Sequence, residues 1–516
     1  MLANRLKLLG EKLPKISDLQ GKRHLDLLAS ARFQIQDRMK IREILELEIE
    51  SLAFGCRGVS RQDGFVWFVD RALPGQRVKA EVTRRRRQYG EAAIAEVLRH
   101  SPFEIPPPCP YFGTCGGCQA QHLDYPSQIE AKTGQVSEIL RRIGGIPDAR
   151  VMPAKAASRI YGYRNKMEFT CSDRPWRMDG PGPENPDAFA VGLHVPRRFD
   201  KILDIEACLL QSPEANQLLE SCRRAMAASG LKPYNIKNHS GFWRFLIIRE
   251  GMRTGQRMLH ILTAGMEEKN GAECVDGMAD SLLRDFPDLT TIVHGISDRP
   301  GQVAWSESER VLHGPGIIRE EILGKTFEIS PASFFQTNTL QADVLFDTLI
   351  ELARFRGDET VFDLYCGTGA IGICLADRVR RVVGIEVIES AVRNARRNAA
   401  CNGTGNIEFI HADMKDALQG RGERPDVVIL DPPRGGTHPH TVRDILALAP
   451  QKIIYVSCNP PMLAKDLRQL SQGYTLEIVQ PVDMFPHTQH IEAVAVLART
   501  GTVISAAAPK DADPAA

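Results

Sequence analysis

A glycine-rich turn after a short apolar run is the feature that most restricts the possible folds. Residues 361–365 predict a buried strand, residues 366–370 read Cys-Gly-Thr-Gly-Ala, and residues 371–379 predict a helix. Glycine allows the backbone of such a turn to approach a nucleotide closely. Residues 381–385 predict the next strand, which ends at Glu386, a carboxylate roughly 20 residues after the turn that can bind ribose hydroxyls.

Strands and helices keep alternating along residues 340–497, and this alternation predicts a doubly wound α/β sheet. Gly367, Gly369 and Gly372 also satisfy the dinucleotide fingerprint, so NAD is one possible ligand. The glycine pattern alone does not decide between NAD and another nucleotide-like cofactor.

Two later segments favour S-adenosylmethionine over NAD. The sequence His-Ala-Asp at residues 411–413 follows a predicted strand, so Asp413 can meet an adenine. The sequence Asp-Pro-Pro begins where the predicted strand 427–430 ends, and it places the carboxylate of Asp431 at the reaction centre. An amino-group methyltransferase could also use this stretch, but its usual motif carries an aromatic residue where Arg434 stands here.

A single cysteine follows another apolar run. Residues 453–456 predict a buried strand, and the pair Pro460-Pro461 stops it. The thiol of Cys458 is therefore expected at the mouth of a strand, where α/β enzymes keep their working residues. Taken alone, a buried cysteine is more often a small apolar residue than a nucleophile.

Three cysteines near the first third of the chain have the spacing of metal ligands. Five residues separate Cys109 from Cys115 and two separate Cys115 from Cys118, with glycines between them that allow tight turns. Soft thiolates select zinc or iron–sulfur clusters, and the spacing does not distinguish these. We predict Cys208 as the fourth ligand, although 89 residues lie between it and Cys118.

The chain has 516 residues, twelve of them cysteine, and a net charge of +1. The N-terminus lacks an apolar signal core, and no apolar run reaches the ~18 residues that span a bilayer. These features predict a cytoplasmic protein that does not associate with a membrane. This small net charge does not by itself indicate a nucleic-acid partner. Residues 84–87 are nonetheless four arginines, whose fork geometry suits phosphates, although such a run can also be a solvated face.

Residues 43–101 hold several short predicted strands separated by glycine and proline, which suggests a small barrel. This segment resembles the TRAM domain, an OB-like RNA-binding barrel, in residues 55–59 and 72–78. The predicted organisation has five parts: a basic extension 1–42, the barrel 43–101, a central α+β domain 102–334 with the cysteines, a catalytic domain 335–500 and a disordered tail 501–516.

The central domain contains a segment rich in aromatic residues and cations, Tyr-Gly-Tyr-Arg-Asn-Lys-Met-Glu-Phe at residues 161–169. This composition suits a surface that stacks bases and binds phosphate. It is equally compatible with an ordinary strand.

The order of motifs along residues 43–498 resembles the RNA (uracil-carbon-5) methyltransferases. The resemblance rests on Gln336, residues 363–369, Glu386, Asp413, residues 431–435, residues 457–460 and residues 490–497. It implies a Rossmann-like class I methyltransferase domain that binds S-adenosylmethionine. One departure is Ala370, where some relatives carry Asn in the cofactor loop.

Within that family the chain is most similar to the bacterial 23S rRNA enzymes that have a TRAM barrel and a four-cysteine site. The resemblance implies a [4Fe–4S] cluster, with zinc as the alternative, and a monomer that acts on 23S rRNA. The implied ligands are Cys109, Cys115, Cys118 and Cys208. The same reaction on tRNA, or a noncatalytic iron–sulfur RNA-binding protein, are the alternatives.

The resemblance also implies site roles. Cys458 is the expected nucleophile, Glu492 the general base, and Asp431 the residue that holds the uracil edge. The implied cofactor-binding residues are Gln336, Tyr365, Gly367, Gly369, Glu386, Asp413 and Asp431. Because Glu492 lies in an apolar strand, we expect a raised pKa; the alternative is an edge-strand carboxylate that faces water.

Overall fold

The computed structural model describes residues 43–176, 178, 188–198, 200–265, 270–418 and 424–501. The predicted extension 1–42 and, except for Gly501, the predicted tail lie outside the described residues. Two compact units are present: residues 43–53 with 57–102, and residues 54–56 with 103–501. Across the part of the chain described, no helix has the length and apolar character needed to cross a membrane.

The N-terminal unit is a six-stranded sheet with one apolar core. Its strands are β1 (Ile44–Glu48), β2 (Ser51–Ala53), β3 (Arg57–Gln62), β4 (Phe65–Asp70), β5 (Arg77–Arg85) and β6 (Tyr89–Arg99), in the order β1-β5-β6-β4-β3-β2. The backbone N–H of Glu50, just after β1, donates to the carbonyl of Val59 in β3. The chain after β1 therefore also bonds to β3, as in a barrel. The indole ring of Trp67 packs directly on Gly90. A Cβ at this position would come within 2.1 Å of the ring, so only glycine fits there.

The second unit begins with a helix and an eight-stranded sheet. Its elements are α1 (Tyr125–Ile139), β7 (Lys166–Ser172), β8 (Pro175–Trp176), β9 (Ala190–His194), β10 (Ile202–Asp204), α2 (Pro213–Ala228), β11 (Trp243–Glu250), β12 (Arg257–Thr263), α3 (Gly271–Asp285), β13 (Thr291–Ile296) and β14 (Ser308–His313). The strand order is β14-β13-β12-β11-β7-β9-β10-β8. Leu218 of α2 and Met278 of α3 share a buried core with Phe169 and Leu246 of the sheet.

The hairpin of β15 (Ile318–Ile322) and β16 (Lys325–Ile329) leads into a seven-stranded sheet. The elements of this sheet and its helices are α4 (Thr339–Ala353), β17 (Thr360–Leu364), α5 (Ala370–Leu375), β18 (Arg381–Glu386), α6 (Glu389–Cys401), β19 (Ile407–His411), α7 (Met414–Leu418), β20 (Val427–Leu430), α8 (Pro439–Leu448), β21 (Lys452–Ser457), α9 (Pro460–Leu470), β22 (Tyr474–Val482) and β23 (Glu492–Arg499). The strand order is β19-β18-β17-β20-β21-β23-β22.

Both faces of this sheet are covered, as its continuous apolar strands require. Side chains of α4, α5 and α6 pack in one core, and side chains of α1, α8 and α9 pack in the other. The predicted doubly wound α/β sheet is therefore confirmed, and strand β20 has the predicted bounds. The predicted helix 371–379 is wrong in length, because α5 ends at Leu375 and a 3₁₀ turn, Ala376–Arg378, follows.

Strand direction determines where polar side chains collect. The five strands from β19 to β21 in the sheet order are parallel, so their carboxyl ends meet at one edge. Strand β23 is antiparallel to β21 and β22, so its amino end reaches the same edge. Ligands of open α/β sheets bind in the crevice outside the carboxyl ends of the strands.

Candidate active site

The predicted glycine turn follows β17 at this edge. Tyr365, Gly367 and Gly369 adopt positive φ values of 64°, 54° and 79°. At Gly369 a Cβ would come within 2.5 Å of the ring of Phe409, so no side chain fits there. At Gly367 no atom lies within 4 Å of the Cβ position, and the space beside the turn stays open. An open turn made of glycine is suited to close approach by a ligand.

Glu386, at the end of β18, contacts the turn directly. One carboxylate oxygen accepts the backbone N–H of Gly367 at 3.1 Å, and the other accepts that of Ile388 at 2.9 Å. The next side chains, Val387 and Ile388, are 53% and 58% exposed. A carboxylate beside exposed apolar side chains at an open turn fits an adenosyl group, whose ribose is polar and whose base is a flat ring.

The other predicted cofactor-binding residues surround the same turn. Asp413 is exposed at the start of α7, and its charge contributes to the raised pKa of Tyr365, which is due mainly to burial. Gln336 is half-buried, and its backbone carbonyl accepts from the side chain of Asn165 at 3.0 Å. The hydroxyl of Thr368, inside the turn, donates to the carbonyl of Phe334 at 3.5 Å. That hydrogen bond ties the segment of Gln336 to the glycine turn.

Asp363, on β17, is a buried carboxyl beneath the turn that the sequence analysis did not single out. One oxygen accepts the N–H of Gly372 at 3.1 Å, and the other has no hydrogen-bond partner. Burial, followed by the charges of Asp431 and Glu386, raises the pKa of Asp363 to about 8. A carboxylate inside an otherwise apolar predicted strand, three residues before the glycine turn, was the available signal.

Cys458 and Glu492 come together across two paired strands. Ser457 of β21 lies opposite Ala493 of β23, Cys458 follows the first residue, and Glu492 precedes the second. Asp431 follows β20, the other neighbour of β21. The three predicted catalytic side chains therefore share one end of the sheet.

The environment of this pocket raises the pKa of each of its acidic groups. Glu492 is only 6% exposed, and burial, followed by the charge of Asp431, raises its pKa well above the usual range. Burial raises the pKa of Asp431 to about 7. Burial and the two carboxylates raise the pKa of Cys458 to about 11. The expectation of a raised pKa for Glu492 is confirmed, and the alternative of a carboxylate facing water is wrong.

Arg434 is a pocket residue that the sequence analysis did not assign. Its charge opposes the rise in the pKa of both Cys458 and Glu492. The side chain of Asn459 donates to the carbonyl of Arg434 at 2.8 Å and joins the loops after β20 and β21. The position directly after Asp-Pro-Pro was the signal in the sequence.

The four cysteines predicted as metal ligands line a single cavity of about 350 Å³. Burial and the other cysteines raise the pKa of Cys118 to about 12. Burial is also the main cause that raises the pKa of Cys208 to about 11, and all four cysteines are free thiols. Within the described ranges, no group of three or more His, Cys, Asp or Glu residues could hold a metal ion as it stands. The four cysteines share the lining of this cavity with Arg164 and Lys166.

The aromatic segment 161–169 does not form the base-stacking surface considered above. Tyr163 and Phe169 are 1% and 0% exposed and belong to the interior, as in an ordinary strand. Arg164 and Lys166 line the cysteine cavity. Tyr161 is half-buried and its ring stacks on that of His487, whereas Tyr163 and Phe169 are buried, and these directions are not visible in the composition.

Comparisons with known proteins agree with this geometry. The family model described as tRNA (Uracil-5-)-methyltransferase matches residues 318–500, and the TRAM domain matches residues 38–95. A protein named as an uncharacterized RNA methyltransferase of Chlorobaculum tepidum is 38% identical over 90% of this chain and 98% of its own length. One from Caldanaerobacter subterraneus is 36% identical over 89% of this chain and 99% of its length.

A solved structure also covers most of the chain. The tRNA (uracil-54, C5)-methyltransferase of Pyrococcus abyssi, in complex with S-adenosyl-L-homocysteine, is 28% identical with a TM-score of 0.69. The match covers 88% of this chain and 100% of that one. The sheet order, the open glycine turn and these matches lead to one conclusion. The chain belongs to the RNA uracil-5-methyltransferase family, as a S-adenosylmethionine-dependent enzyme of the class I fold with an N-terminal TRAM domain.

Proposed function

We propose that this enzyme methylates carbon 5 of a uridine in 23S rRNA, with Cys458 as nucleophile and Glu492 as general base. The observation that carries this assignment is the shared position of Cys458, Asp431 and Glu492 at the carboxyl edge of the sheet. A thiol and a buried carboxyl on neighbouring strands are the two groups that methylation of a uracil carbon requires.

The first step is the attack of Cys458. Carbon 5 of uracil is a poor nucleophile, so the sulfur adds to carbon 6 and the ring electrons move onto the carbonyl oxygen, giving an enolate. The thiol must lose its proton in this step. Arg434 favours the thiolate, while Asp431, whose pKa is raised to about 7, can accept or donate a proton near neutral pH. We propose that Asp431 hydrogen-bonds to the polar edge of the uracil and holds the plane of the ring.

S-adenosylmethionine supplies an electrophilic methyl group when it is bound beside the glycine turn. Glu386, Gly367 and Gly369 would hold its adenosyl part, together with Tyr365, Asp413 and Gln336. Carbon 5 of the enolate would attack this methyl carbon while its bond to the sulfonium sulfur breaks, the ring carbonyl re-forms, and carbon 5 then carries both a proton and the new methyl group. Glu492 removes the proton, the electrons restore the double bond between carbons 5 and 6, and the sulfur of Cys458 leaves.

We propose that Cys109, Cys115, Cys118 and Cys208 hold a [4Fe–4S] cluster, with zinc as the less favoured occupant. Four cysteines are the usual ligand set of such a cluster, and the cavity of about 350 Å³ that they line leaves room for a group larger than a single ion. Its role would be structural, because the methyl transfer moves no electrons. The cluster would order the central domain 102–334, which we propose binds the RNA together with the barrel.

The target RNA follows from the family resemblance to the bacterial enzymes with a barrel and a cysteine site. Such a target would be met in the cytoplasm, by a monomeric enzyme. tRNA is the second candidate, and a specific observation favours it: the Pyrococcus abyssi tRNA enzyme matches 88% of this chain. That match extends into the first 102 residues, so the N-terminal unit does not by itself indicate rRNA.

A trapping experiment tests both the chemistry and the target. The enzyme is mixed with S-adenosylmethionine and either a 23S rRNA fragment or tRNA, each containing 5-fluorouridine. Fluorine replaces the proton that Glu492 would remove, so the enzyme should remain covalently bound through Cys458 after methyl transfer. An adduct with rRNA that is absent for Cys458→Ala supports the proposal. An adduct with tRNA alone contradicts the rRNA target, and no adduct with either RNA contradicts the mechanism.

A further inference from the structure

The segment that joins β22 to β23, residues 483–491, ends directly at Glu492; we call it the return loop. Connecting loops normally lie on the surface. In the return loop, however, Asp483 and Met484 are fully buried, and His487 and Thr488 are each 2% exposed. Buried backbone must find hydrogen-bond partners, so the position of this loop is determined by whatever supplies them.

The loop of residues 109–123, which carries three of the four cavity cysteines and is called the cysteine loop here, supplies the first set of partners. The carbonyl of His487 accepts the backbone N–H of Gln119 at 2.9 Å and that of Ala120 at 3.0 Å. Gln119 directly follows Cys118, one of the four cysteines that line the cavity. The backbone next to a proposed cluster ligand therefore holds the middle of the return loop.

The side chain of Gln119 forms a second bridge. Its amide nitrogen donates to the carbonyl of Gly116 at 2.9 Å, and its oxygen accepts the N–H of Gln489 at 3.2 Å. Gly116 follows Cys115, and Gln489 lies three residues before Glu492. One half-buried side chain thus connects the turn between two cysteines to the approach of the proposed base.

Side chains of helix α1 bond to both the cysteine loop and the return loop. The amide nitrogen of Gln128 donates to the carbonyls of Ala120 and Leu123 at 3.0 and 2.8 Å, while its oxygen accepts the N–H of His487 at 3.0 Å. Lys132, also on α1, forms a buried ion pair with Asp483 at 2.6 Å. These hydrogen bonds and the ion pair join the return loop, the cysteine loop and α1 into one network.

Cys458 is positioned differently. It lies between the buried strand β21 and helix α9, and none of the hydrogen bonds described above reaches it. Glu492 is the first residue of β23, where the strand meets the return loop. Glu492 is paired with Val482 of β22, and its neighbour Ala493 is the first residue of β23 paired with β21, so we expect a displacement of the return loop to shift the carboxyl more than the thiol.

We propose that Gln119 is a positioning residue for Glu492, through which the cysteine site controls the proton-removal step. The inference rests on the proposed function, because it uses the roles of Cys458 and Glu492. An enzyme without the Gln119 bridge attacks and methylates its uridine normally but releases the product slowly. Misplacement of a reacting group by about 1 Å can reduce the rate of a step by roughly 10-fold to 100-fold.

The test compares single turnovers of the iron-loaded, full-length wild type and Gln119→Ala on RNA with ordinary uridine. Methyl transfer and the denaturation-resistant protein–RNA adduct are measured in the same samples. Hydrogen exchange of the backbone amides of residues 484–493 is measured without RNA. Gln472→Ala, which alters an exposed glutamine after α9, is the matched control, and Gln119→Glu keeps an acceptor for the N–H of Gln489.

We expect Gln119→Ala to transfer methyl at the wild-type rate, to clear its adduct roughly 10-fold to 100-fold more slowly, and to exchange faster at residues 484–493. Gln119→Glu should clear the adduct faster than Gln119→Ala. The positioning role is overturned if Gln119→Ala clears its adduct like the wild type, or if methyl transfer slows to the same extent as clearance. The trapping experiment with the wild type and 5-fluorouridine tests the nucleophile separately. Absence of an adduct there would contradict the proposed function, whereas an adduct there together with normal clearance by Gln119→Ala would contradict only the positioning role.

Discussion

Cys458 and Glu492 flank one cross-strand pair, in which Ser457 lies opposite Ala493. The thiol follows one member of this pair and the carboxyl precedes the other. Because β21 and β23 are antiparallel and buried, their backbone ladder fixes both side chains at one edge of the sheet. Strand pairing thus brings the proposed nucleophile and the proposed base to the same edge, and the return loop, which ends at Glu492, completes the positioning of the carboxyl.

Replacing Glu492 by Gln should separate methyl transfer from product release. The amide keeps the size of the side chain but cannot take the proton from carbon 5, so the RNA adduct should accumulate with ordinary uridine. A denaturing gel with labelled RNA measures it. In the wild type, the clearance rate should rise with pH as the buried carboxyl ionises, since a base must be unprotonated and burial raises its pKa. Fast, pH-dependent clearance by Glu492→Gln would contradict the role.

Asp363 should make the enzyme less stable as the pH rises. Its pKa is raised from 3.8 to about 8 by burial and by neighbouring carboxylates, so the folded chain holds a proton that the unfolded chain loses. The free energy of unfolding should therefore fall between about pH 4 and pH 8. Asp363→Asn keeps an oxygen for the N–H of Gly372 and cannot ionise, so its stability should fall less over this range. Urea unfolding at pH 5 and pH 8 measures the difference, and parallel profiles would show that Asp363 does not titrate.

Removing one cavity thiol should remove the metal. Cys208→Ser leaves three thiols around the cavity, so we expect the iron content and the visible absorbance of the purified protein to fall severalfold. Cys401→Ser alters an exposed cysteine of α6 outside this cavity and serves as the control. Elemental analysis of the wild type decides between iron and zinc. Equal metal content in the two variants would exclude Cys208 as a ligand.

The arginines at residues 84–87 should contribute to RNA affinity. All four are exposed where β5 turns into β6, and Arg85 lies 5.4 Å from the centre of the Phe65 ring. Their replacement by alanine should weaken RNA binding and reduce the slope of log affinity against log salt by roughly 0.7–0.9 for each lost phosphate contact. Cofactor affinity should stay constant. The matching lysine variant keeps the charge and should retain most of the slope; equal slopes for all three proteins would assign these residues to a solvated face.

Local patterns predicted most of the catalytic sheet, because its central strands are apolar runs and the turns after β17, β20 and β21 contain glycine or proline. The positions of Cys458 and Asp431 at strand ends were visible for the same reason: Asp431 directly follows such a run, and Cys458 stands one residue beyond another. Burial of Tyr163 was not visible, because composition does not give the direction of a side chain. The bond between Gln119 and Gln489 was not visible either, because it joins residues far apart in the chain and neither belongs to a periodic pattern.

The position of β23 between β21 and β22 has a consequence for biosynthesis. The ribosome makes the strand that carries Glu492 after every other strand of its sheet, yet this strand fills an interior place. Until it arrives, β21 and β22 have no partner between them, and the end of the sheet that carries Cys458 is unfinished. Under the roles proposed for Cys458 and Glu492, the pocket around the thiol is completed only when the carboxyl arrives, so we expect incomplete chains not to trap RNA.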